Sequence, residues 1–476
     1  MWRLYYLLTS RRICNHEWSE DIKVKQAVNK IFIFAESNKH RNIMHLDELK
    51  CHATDLVRLL PRQMLARLAK STEVDRYAKE LQGERLFNLL LYGLIRCKRL
   101  SQRKLEKVFE SRAFCTLFDY SLGERVSHSS ISERLSKVNV EFFRKAYEVF
   151  YDKLHSLYTP REIERKLLVR VDSTLVAETC NKLKKGFTVG KRPVGKDACR
   201  QRRQVKYTMG YEGFAAKLAE VLDEPAYLSE DIALPEAIDR MIKKDPEHRN
   251  FYVFDRGLSS LRAYDSMTEQ HARFVGRIKT NRSMETVRVL EIPEADKCAP
   301  EKLVLDEDKV VHLREGGSRK FGTEEYRVIT AHFKEPRDTT RPQNKGKAKR
   351  VENRICFITN DMELPAKEVA EIYRRRWDIE VFFRFLKQEL SFSHFLSVNE
   401  NGLQVILYMT LITAMLVMIY KRENKLGYSM AVFTLDLEME DYAMGLASEM
   451  AAGNRGTPHG SQKGKHKRLE ANGLTS

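Results

Sequence analysis

Paired cysteines are missing from this sequence of 476 residues, although it contains eight cysteines. They are scattered singly, with no CxxC pair and no Cys/His spacing of the kind that binds zinc. Such a pattern predicts reduced thiols that mostly fill space in a cytosolic protein. It excludes a disulfide framework and a zinc-finger module.

Export and membrane signals are also scarce. The first residues, MWRLYYLLTSRRICNH, contain an apolar run that is too short for a secretory signal. One stretch, Leu403–Tyr420, carries no charge and is near the lower limit of length for a membrane-spanning helix. Because Gln404, Thr410 and Thr413 interrupt it, we predict a buried core helix and no membrane partner. A membrane-associated basic protein is the alternative.

Acidic residues are fewer than basic ones, with 66 Asp and Glu against 84 Lys and Arg, which gives a net charge of +18. This excess favours a polyanion as partner, most often nucleic acid. A glycine-containing basic cluster follows Asp172 closely, and its predicted DNA-binding residues are Lys185, Arg192, Arg202 and Lys206. Glycine lets the backbone approach a ligand, and the cations neutralise phosphates. A solvated surface loop is the alternative for this cluster.

Two aspartates end short apolar runs. Asp172 follows KLLVRV, and Asp255 follows NFYVF. Both runs are rich in Val, Phe or Tyr and are bounded by polar or glycine residues, so they predict buried strands. A carboxylate at the end of a buried strand is desolvated unless something pairs with it. Taken singly, each aspartate could still be a turn or cap residue.

A helical pattern runs through YRRRWDIEVFFRFLK. At about 100° per residue, Tyr373, Arg376, Glu380 and Lys387 share an arc of roughly 60° on one amphipathic helix. A solvated ionic face would explain this stripe by itself. Three carboxylates from two strands and one helix could instead hold two divalent ions through oxygen ligands, as magnesium and manganese prefer. Two such ions can drive an in-line phosphoryl transfer.

The order and spacing of these residues resemble the signature of a known family. The order Asp172, Asp255, Glu380, combined with the spacing Tyr-x2-Arg-x3-Glu-x6-Lys, is similar to DDE transposases of the bacterial insertion-sequence type-four family. The resemblance covers roughly Leu167 to Tyr420, with weaker similarity back to about Leu46. It implies a ribonuclease-H-like core with a β-rich insertion.

The resemblance also implies a function. Asp172, Asp255 and Glu380 would be the catalytic residues and the ligands of two Mg²⁺ ions, or of Mn²⁺. The enzyme would bind double-stranded DNA at the transposon ends, cleave it and transfer the 3′ ends into target DNA, with a homodimer pairing the ends. It would be cytoplasmic in a bacterium and nucleoid-associated when bound to DNA. A metal-dependent nuclease of the same fold and a catalytically silent DNA-binding descendant are the alternatives.

The signature also predicts DNA contacts. Arg376 can clamp a phosphate bidentately, Lys387 can supply a second positive charge, and the hydroxyl of Tyr373 can donate to a phosphate oxygen. Trp377 could stack on a distorted or flipped base, or it could simply pack in the core.

We therefore predict an α/β protein: a ribonuclease-H-like catalytic core with a β-rich insertion, preceded by an all-α N-terminal domain. The predicted boundaries are 1–43 for a poorly ordered extension, 44–160 for a helical DNA-binding domain, 161–281 and 352–430 for the core, 282–351 for the insertion, and 431–476 for a disordered C-terminal tail. Within the helical domain, Leu100–Phe109 and Ser127–Val138 could form a helix-turn-helix-like unit or belong to an ordinary helical bundle.

Overall fold

The computed structural model describes residues 49–59, 61–156, 167–177, 182–183, 186–188, 203–213, 215–299, 302–314, 320–338 and 351–451. The chain divides into a first unit, Met1–Lys50, and a second unit, Cys51–Ser476. The architecture below is that of the second unit. The predicted extension at 1–43 lies outside the described residues.

The described part of the chain begins with helices. They are α1 (Ala53–Arg58), α2 (Arg62–Thr72), α3 (Gly83–Arg96), α4 (Gln102–Phe109), α5 (Arg112–Phe118), α6 (His128–Lys137) and α7 (Val140–Ser156). Serine hydroxyls at Ser101, Ser111 and Ser127 accept hydrogen bonds from backbone N–H groups in the first turns of α4, α5 and α6. Ser127 is therefore the N-cap of α6. Helix α5 separates the two segments considered for a helix-turn-helix unit, so they are not successive helices.

Two C-terminal helices, α12 (Glu400–Glu423) and α13 (Tyr428–Ala451), pack with these N-terminal helices. The Tyr147 and Tyr408 rings lie 5.8 Å apart. Arg96 on α3 pairs with Glu440 on α13 at 2.7 Å. Helix α13 corrects the predicted disordered tail for residues 431–451; the rest of that tail, 452–476, lies outside the described residues. Its carboxylates have partners in the helical domain, because Asp436 and Glu440 pair with Arg96 and Glu438 lies 2.7 Å from His52.

Helix α12 contains the long apolar run. Among the described residues it is the one helix that is long and apolar enough to cross a membrane by length and composition, and 72% of its most apolar window is buried by the rest of the chain. Thr410 and Thr413 are both fully buried, and the hydroxyl of Thr413 donates to the carbonyl of Met409 at 2.8 Å. The run is thus placed as a core helix within this fold.

The described strands form one mixed sheet of eleven. They are β1 (Leu168–Ala177), β2 (Phe187–Thr188), β3 (Arg203–Tyr211), β4 (Ala216–Leu222), β5 (Phe251–Phe254), β6 (Arg273–Ile278), β7 (Met284–Leu290), β8 (Cys298–Ala299), β9 (Leu303–Arg314), β10 (Phe321–Asp338) and β11 (Val351–Thr359). The order is β2-β3-β1-β5-β6-β11-β10-β9-β7, with β4 beside β3 and β8 beside β9. The β1–β5 and β5–β6 pairs are parallel and the others are antiparallel.

Helices cover both faces of the central strands. They are α8 (Glu230–Ile242), α9 (Leu261–Glu269), α10 (Ala366–Arg374) and α11 (Trp377–Glu389). Helices α8 and α9 share a buried cluster with Val169 and Val171 of β1, whereas α10 shares one with Leu168. Alternate residues of β1 therefore face different helices, as strand geometry requires. This mixed α/β architecture is consistent with a ribonuclease-H-like core.

Strands β7 to β10 correspond to the predicted β-rich insertion. They continue the central sheet, because β11 pairs with β6 on one side and with β10 on the other. Arg327 of β10 and Asp308 of β9 form a buried ion pair, with the Arg327 Nε 2.8 Å from Asp308 Oδ1. The same guanidinium donates to the carbonyl of Leu364, just before α10. The insertion is thus tied to the helix that follows it.

A buried glutamate joins α7 to the β3–β4 hairpin. Glu212 is 3% exposed, and its carboxylate accepts hydrogen bonds from the Tyr151 hydroxyl at 2.7 Å and from Lys217 Nζ at 3.0 Å, while His155 Nε2 lies 3.1 Å away. Burial by itself raises the pKa of Glu212, but the contacts with His155, Lys217 and Tyr151 outweigh it and hold the pKa below the ordinary value of 4.5.

Replacing this carboxylate should give a pH-dependent loss of stability. A lowered pKa in the folded protein means that the stabilisation is fully present above the ordinary pKa and is lost as pH falls through the folded value. We expect Glu212→Gln to lower the free energy of unfolding by about 2 kcal/mol at neutral pH. Urea unfolding of both proteins should show this difference shrinking below about pH 4.5. A difference that does not change with pH would contradict this account.

Candidate active site

Asp172 lies on β1, and Asp255 directly follows β5, the strand that pairs with β1 in parallel. In the pairing of β1 with β5, Leu168 is opposite Phe251 and Arg170 is opposite Val253, an offset of 83 residues. Continued two residues past the last pair, the same offset would bring Asp172 level with Asp255; neighbouring strands in a sheet lie about 4.8 Å apart. Asp255 directly follows β5 as predicted, but β1 runs on to Ala177. Asp172 therefore lies within β1, just past the segment of β1 that pairs with β5.

The signature segment is two helices, not one. Helix α10 ends at Arg374 and α11 begins at Trp377, so Tyr373 lies on a different helix from Glu380 and Lys387. Buried Arg170 of β1 lies at this break: its Nε donates to the carbonyl of Arg375 at 3.0 Å, and its Nη2 lies 2.9 Å from Asp378 Oδ2. The single predicted helix is therefore corrected, because these tertiary contacts stabilise a break that helical periodicity does not reveal.

The guanidinium of Arg376 lies among the three acidic side chains. Its Nη2 is 2.5 Å from Glu380 Oε1, and its Nη1 is 3.6 Å from Asp172 Oδ2. Its positive charge also lowers the pKa of Asp255, whose Oδ1 accepts a hydrogen bond from the Tyr373 hydroxyl at 2.8 Å. The structure thus brings together Asp172, Asp255 and Glu380 with two further signature residues.

The two aspartates have different electrostatic environments. Burial raises the pKa of Asp172 to about 6, although the Ser173 N–H and Arg376 act in the opposite direction. Burial also acts to raise the pKa of Asp255, but Arg376, a backbone N–H and Tyr373 bring it below its ordinary value. Carboxyl groups with such different environments on adjacent strands are typical of a functional site.

The chemistry of these side chains fits divalent cations. Carboxylate oxygens are the ligands that magnesium and manganese prefer. Within the described ranges, no three His, Cys, Asp or Glu side chains are close enough to hold one ion. At this site the guanidinium of Arg376 lies between Asp172 and Glu380. Its Nε is buried and has no hydrogen-bond partner. A divalent cation would replace the positive charge that Arg376 supplies.

The remaining signature residues lie along α11. Lys387 is two turns beyond Glu380, and its Nζ donates to the carbonyl of Leu175 at 3.1 Å, three residues after Asp172. Burial lowers the pKa of Lys387. Trp377 is 52% exposed, so about half of its surface is accessible to a ligand. The opposite face of α11 is held on β3, where Phe382 stacks on Tyr211 at 4.5 Å.

Of the four basic residues after Asp172 that were predicted to bind DNA, Lys206 lies within the described residues. Lys185, Arg192 and Arg202 lie outside the described residues. Lys206 is only 2% exposed, and its Nζ pairs with Glu230 at 2.8 Å. This position corrects the predicted DNA contact of Lys206, because its ammonium group faces a carboxylate inside the protein and not solvent.

Sequence reasoning missed three residues next to the site. Arg170 holds the break between α10 and α11, while Ser173 and Glu230 form a hydrogen bond of 3.1 Å beside Asp172. The apolar run around Arg170 contained one signal, since a charged residue inside a buried strand needs a partner. Glu230 had no such signal, because an acidic residue in the first turn of a helix is common.

Comparison with known proteins gives the family. A family model described as the transposase DDE domain matches residues 164–416. Because this match covers more than half of the chain, the protein belongs to the family of DDE-domain transposases. The matched region contains Asp172, Asp255 and Glu380.

Individual relatives are similar over different lengths. The chain is 28% identical over 184 residues to a Sinorhizobium fredii protein that carries the name transposase, covering 38% of this chain and about half (46%) of that relative. It is 19% identical over 402 residues to the transposase for insertion sequence element IS231C of Bacillus thuringiensis, and this match covers 78% of this chain and 80% of that relative. A solved synaptic complex of piggyBac transposase with hairpin DNA is similar at 12% identity and a TM-score of 0.43, over 88% of each chain.

Proposed function

We propose that this protein binds the ends of an insertion sequence, cleaves the DNA and transfers the 3′ ends into target DNA. The observation that carries the proposal is the convergence of Asp172, Asp255 and Glu380 around Arg376, in a chain of the DDE-domain family. The spacing Tyr-x2-Arg-x3-Glu-x6-Lys supports membership of the insertion-sequence type-four family. A bacterial cytoplasmic location and a homodimeric synapse are part of this proposal.

In this mechanism Asp172, Asp255 and Glu380 would hold two divalent ions, Mg²⁺ or Mn²⁺. The chemistry supplied there would be activation of a water molecule or a 3′-hydroxyl and stabilisation of the leaving 3′-oxygen. Tyr373 fixes Asp255 through its hydroxyl, at 2.8 Å. Arg376 balances the acidic charge before the ions bind and can afterwards donate to a DNA phosphate. Trp377 offers an exposed ring for base stacking.

A strand-transfer assay tests this proposal. The purified full-length chain is incubated with Mg²⁺, a duplex that carries the ends of its own flanking element, and a second duplex as target; Asp172→Asn is the matched control. We expect cleavage at the ends and joining to the target, both absent in the control. Cutting without joining or end preference would favour the nuclease alternative, and binding without cutting would favour the silent descendant.

Lys387 should contribute to DNA binding more than to chemistry. We expect Lys387→Ala to weaken binding of the transposon end about tenfold and to reduce the slope of log affinity against log salt by about one, since one phosphate contact is lost. Cleavage at saturating protein should fall much less. Fluorescence anisotropy at several salt concentrations measures both binding effects.

Lys244→Ala is the control for Lys387→Ala. Lys244 is exposed and lies just past the C-terminal end of α8, whereas the N-terminal end of α8 is next to Asp172. Both substitutions remove one positive charge, but only the loss of Lys387 should change end binding by more than twofold. Equal effects of the two variants would contradict a specific contact by Lys387.

A further inference from the structure

Asp172 and Ser173 point to opposite faces of the sheet. Arg170 and Asp172 face α11, whereas Val169, Val171 and, by alternation, Ser173 face α8. The backbone N–H of Ser173 donates to Asp172 Oδ1 at 2.7 Å. Any group that fixes Ser173 from the α8 side therefore also fixes the orientation of the Asp172 carboxylate.

Glu230 is such a group. It is the first residue of α8, and its Oε2 accepts a hydrogen bond from the Ser173 hydroxyl at 3.1 Å. The Ser173 hydroxyl also lies 2.9 Å from the hydroxyl of Thr208 on β3, which is fully buried. Glu230 and Thr208 therefore hold the Ser173 side chain from two elements.

Lys206 fixes Glu230 in turn. Its Nζ lies 2.8 Å from Glu230 Oε1 and donates to the carbonyl of Leu228 at 3.0 Å. A lysine that is 2% exposed needs a charged partner, so Lys206 and Glu230 hold each other in one arrangement. The carboxylate of Glu230, whose side chain is 30% exposed, is thus positioned by a buried cation.

Glu230 also lies against the turn that directly follows Asp255. A Cβ atom built on Gly257 would lie 2.9 Å from Glu230 Cγ, so the aliphatic part of the Glu230 side chain packs on this turn. Only glycine leaves room for this approach. One side chain therefore contacts the segments that carry both aspartates, from the face of the sheet opposite Arg376.

We propose that Glu230, held by Lys206, is a positioning residue that orients Asp172 through Ser173 for divalent-cation binding. This inference rests on the proposed function. Outer groups that orient ligand carboxylates typically change metal affinity by about 10- to 100-fold when they are removed. Glu230 does not itself contact DNA or the reacting atoms in this role.

The test measures metal binding directly. Isothermal titration calorimetry of the full-length protein with Mn²⁺, without DNA, should give an about tenfold higher dissociation constant for Glu230→Gln than for the wild type. Ser173→Ala should weaken Mn²⁺ binding in the same direction. DNA-end binding without metal should stay within twofold of the wild type, and the Mn²⁺ concentration that half-saturates cleavage should rise by the same factor as the dissociation constant.

Two further variants make the result unambiguous. Glu236→Gln removes a carboxylate from the same helix, where it pairs with Arg240 at 2.5 Å, and should leave Mn²⁺ affinity unchanged. The double variant Glu230→Met with Lys206→Met removes the pair without leaving a buried charge, and should weaken Mn²⁺ binding even if Glu230→Gln folds poorly.

Wild-type affinity in a folded Glu230 variant overturns the inference alone. Absence of Mn²⁺ binding by the wild type overturns the proposed function as well.

Discussion

Glu380→Ala should abolish DNA cleavage while leaving DNA binding intact. In the proposed mechanism Glu380 is one of three carboxylates that would hold the ions, and its loss should remove several kcal/mol of transition-state stabilisation, which corresponds to a loss of about 10³-fold in rate. Metal-free binding should persist, because the substitution removes negative charge next to Arg376 and leaves every cation in place. Single-turnover cleavage of an end duplex and fluorescence anisotropy without Mg²⁺ measure the two effects separately.

Glu389→Ala is the matched control. Glu389 is the last residue of the same helix, α11, and accepts a hydrogen bond from Ser429 at 2.5 Å, on a helix that does not carry the site. Its loss should leave the cleavage rate within about twofold of the wild type. If Glu380→Ala cleaves within tenfold of the wild-type rate, Glu380 is not a metal ligand and the assignment of the third carboxylate is wrong.

Asp308→Ala should give a large loss of stability, by breaking the ion pair between β9 and β10. Asp308 is 1% and Arg327 5% exposed, so the substitution leaves a buried guanidinium without its carboxylate. Such a loss typically costs about 3 to 5 kcal/mol. The midpoint of urea unfolding should fall accordingly. Arg327 also donates to the Leu364 carbonyl, just before α10. The start of α10, which carries Tyr373, should therefore become less stable as well.

Two comparisons separate this effect from a general loss of charge. Glu307→Ala removes the neighbouring carboxylate on β9, which is half-exposed and pairs with Lys309 at 2.8 Å; it should cost no more than about 1 kcal/mol. Replacing Asp308 by Leu and Arg327 by Met together should recover most of the lost stability, since no buried charge stays unpaired. A double variant as unstable as Asp308→Ala would show that the pair itself is not the cause.

The sequence by itself determined which residues could do the chemistry. Apolar runs before Asp172 and Asp255 predicted strands, and the spacing from Tyr373 to Lys387 predicted helix, because local periodicity reports which side chains share a face. These features depend on neighbours in the chain, and the sequence displays them directly. The β-rich insertion was expected from the resemblance to the family.

Only the tertiary structure decided how these residues meet. The parallel register that would bring Asp172 level with Asp255 arises from strands that are far apart in the chain. The break between α10 and α11 depends on Arg170, a residue of β1. Lys206 looked like a surface cation, but Glu230 on α8 makes it a buried one. In each case the partner is more than twenty residues away in the chain. For Arg170 and Lys206, the energy of burying a charge, which the local pattern does not contain, favours the arrangement that supplies a partner.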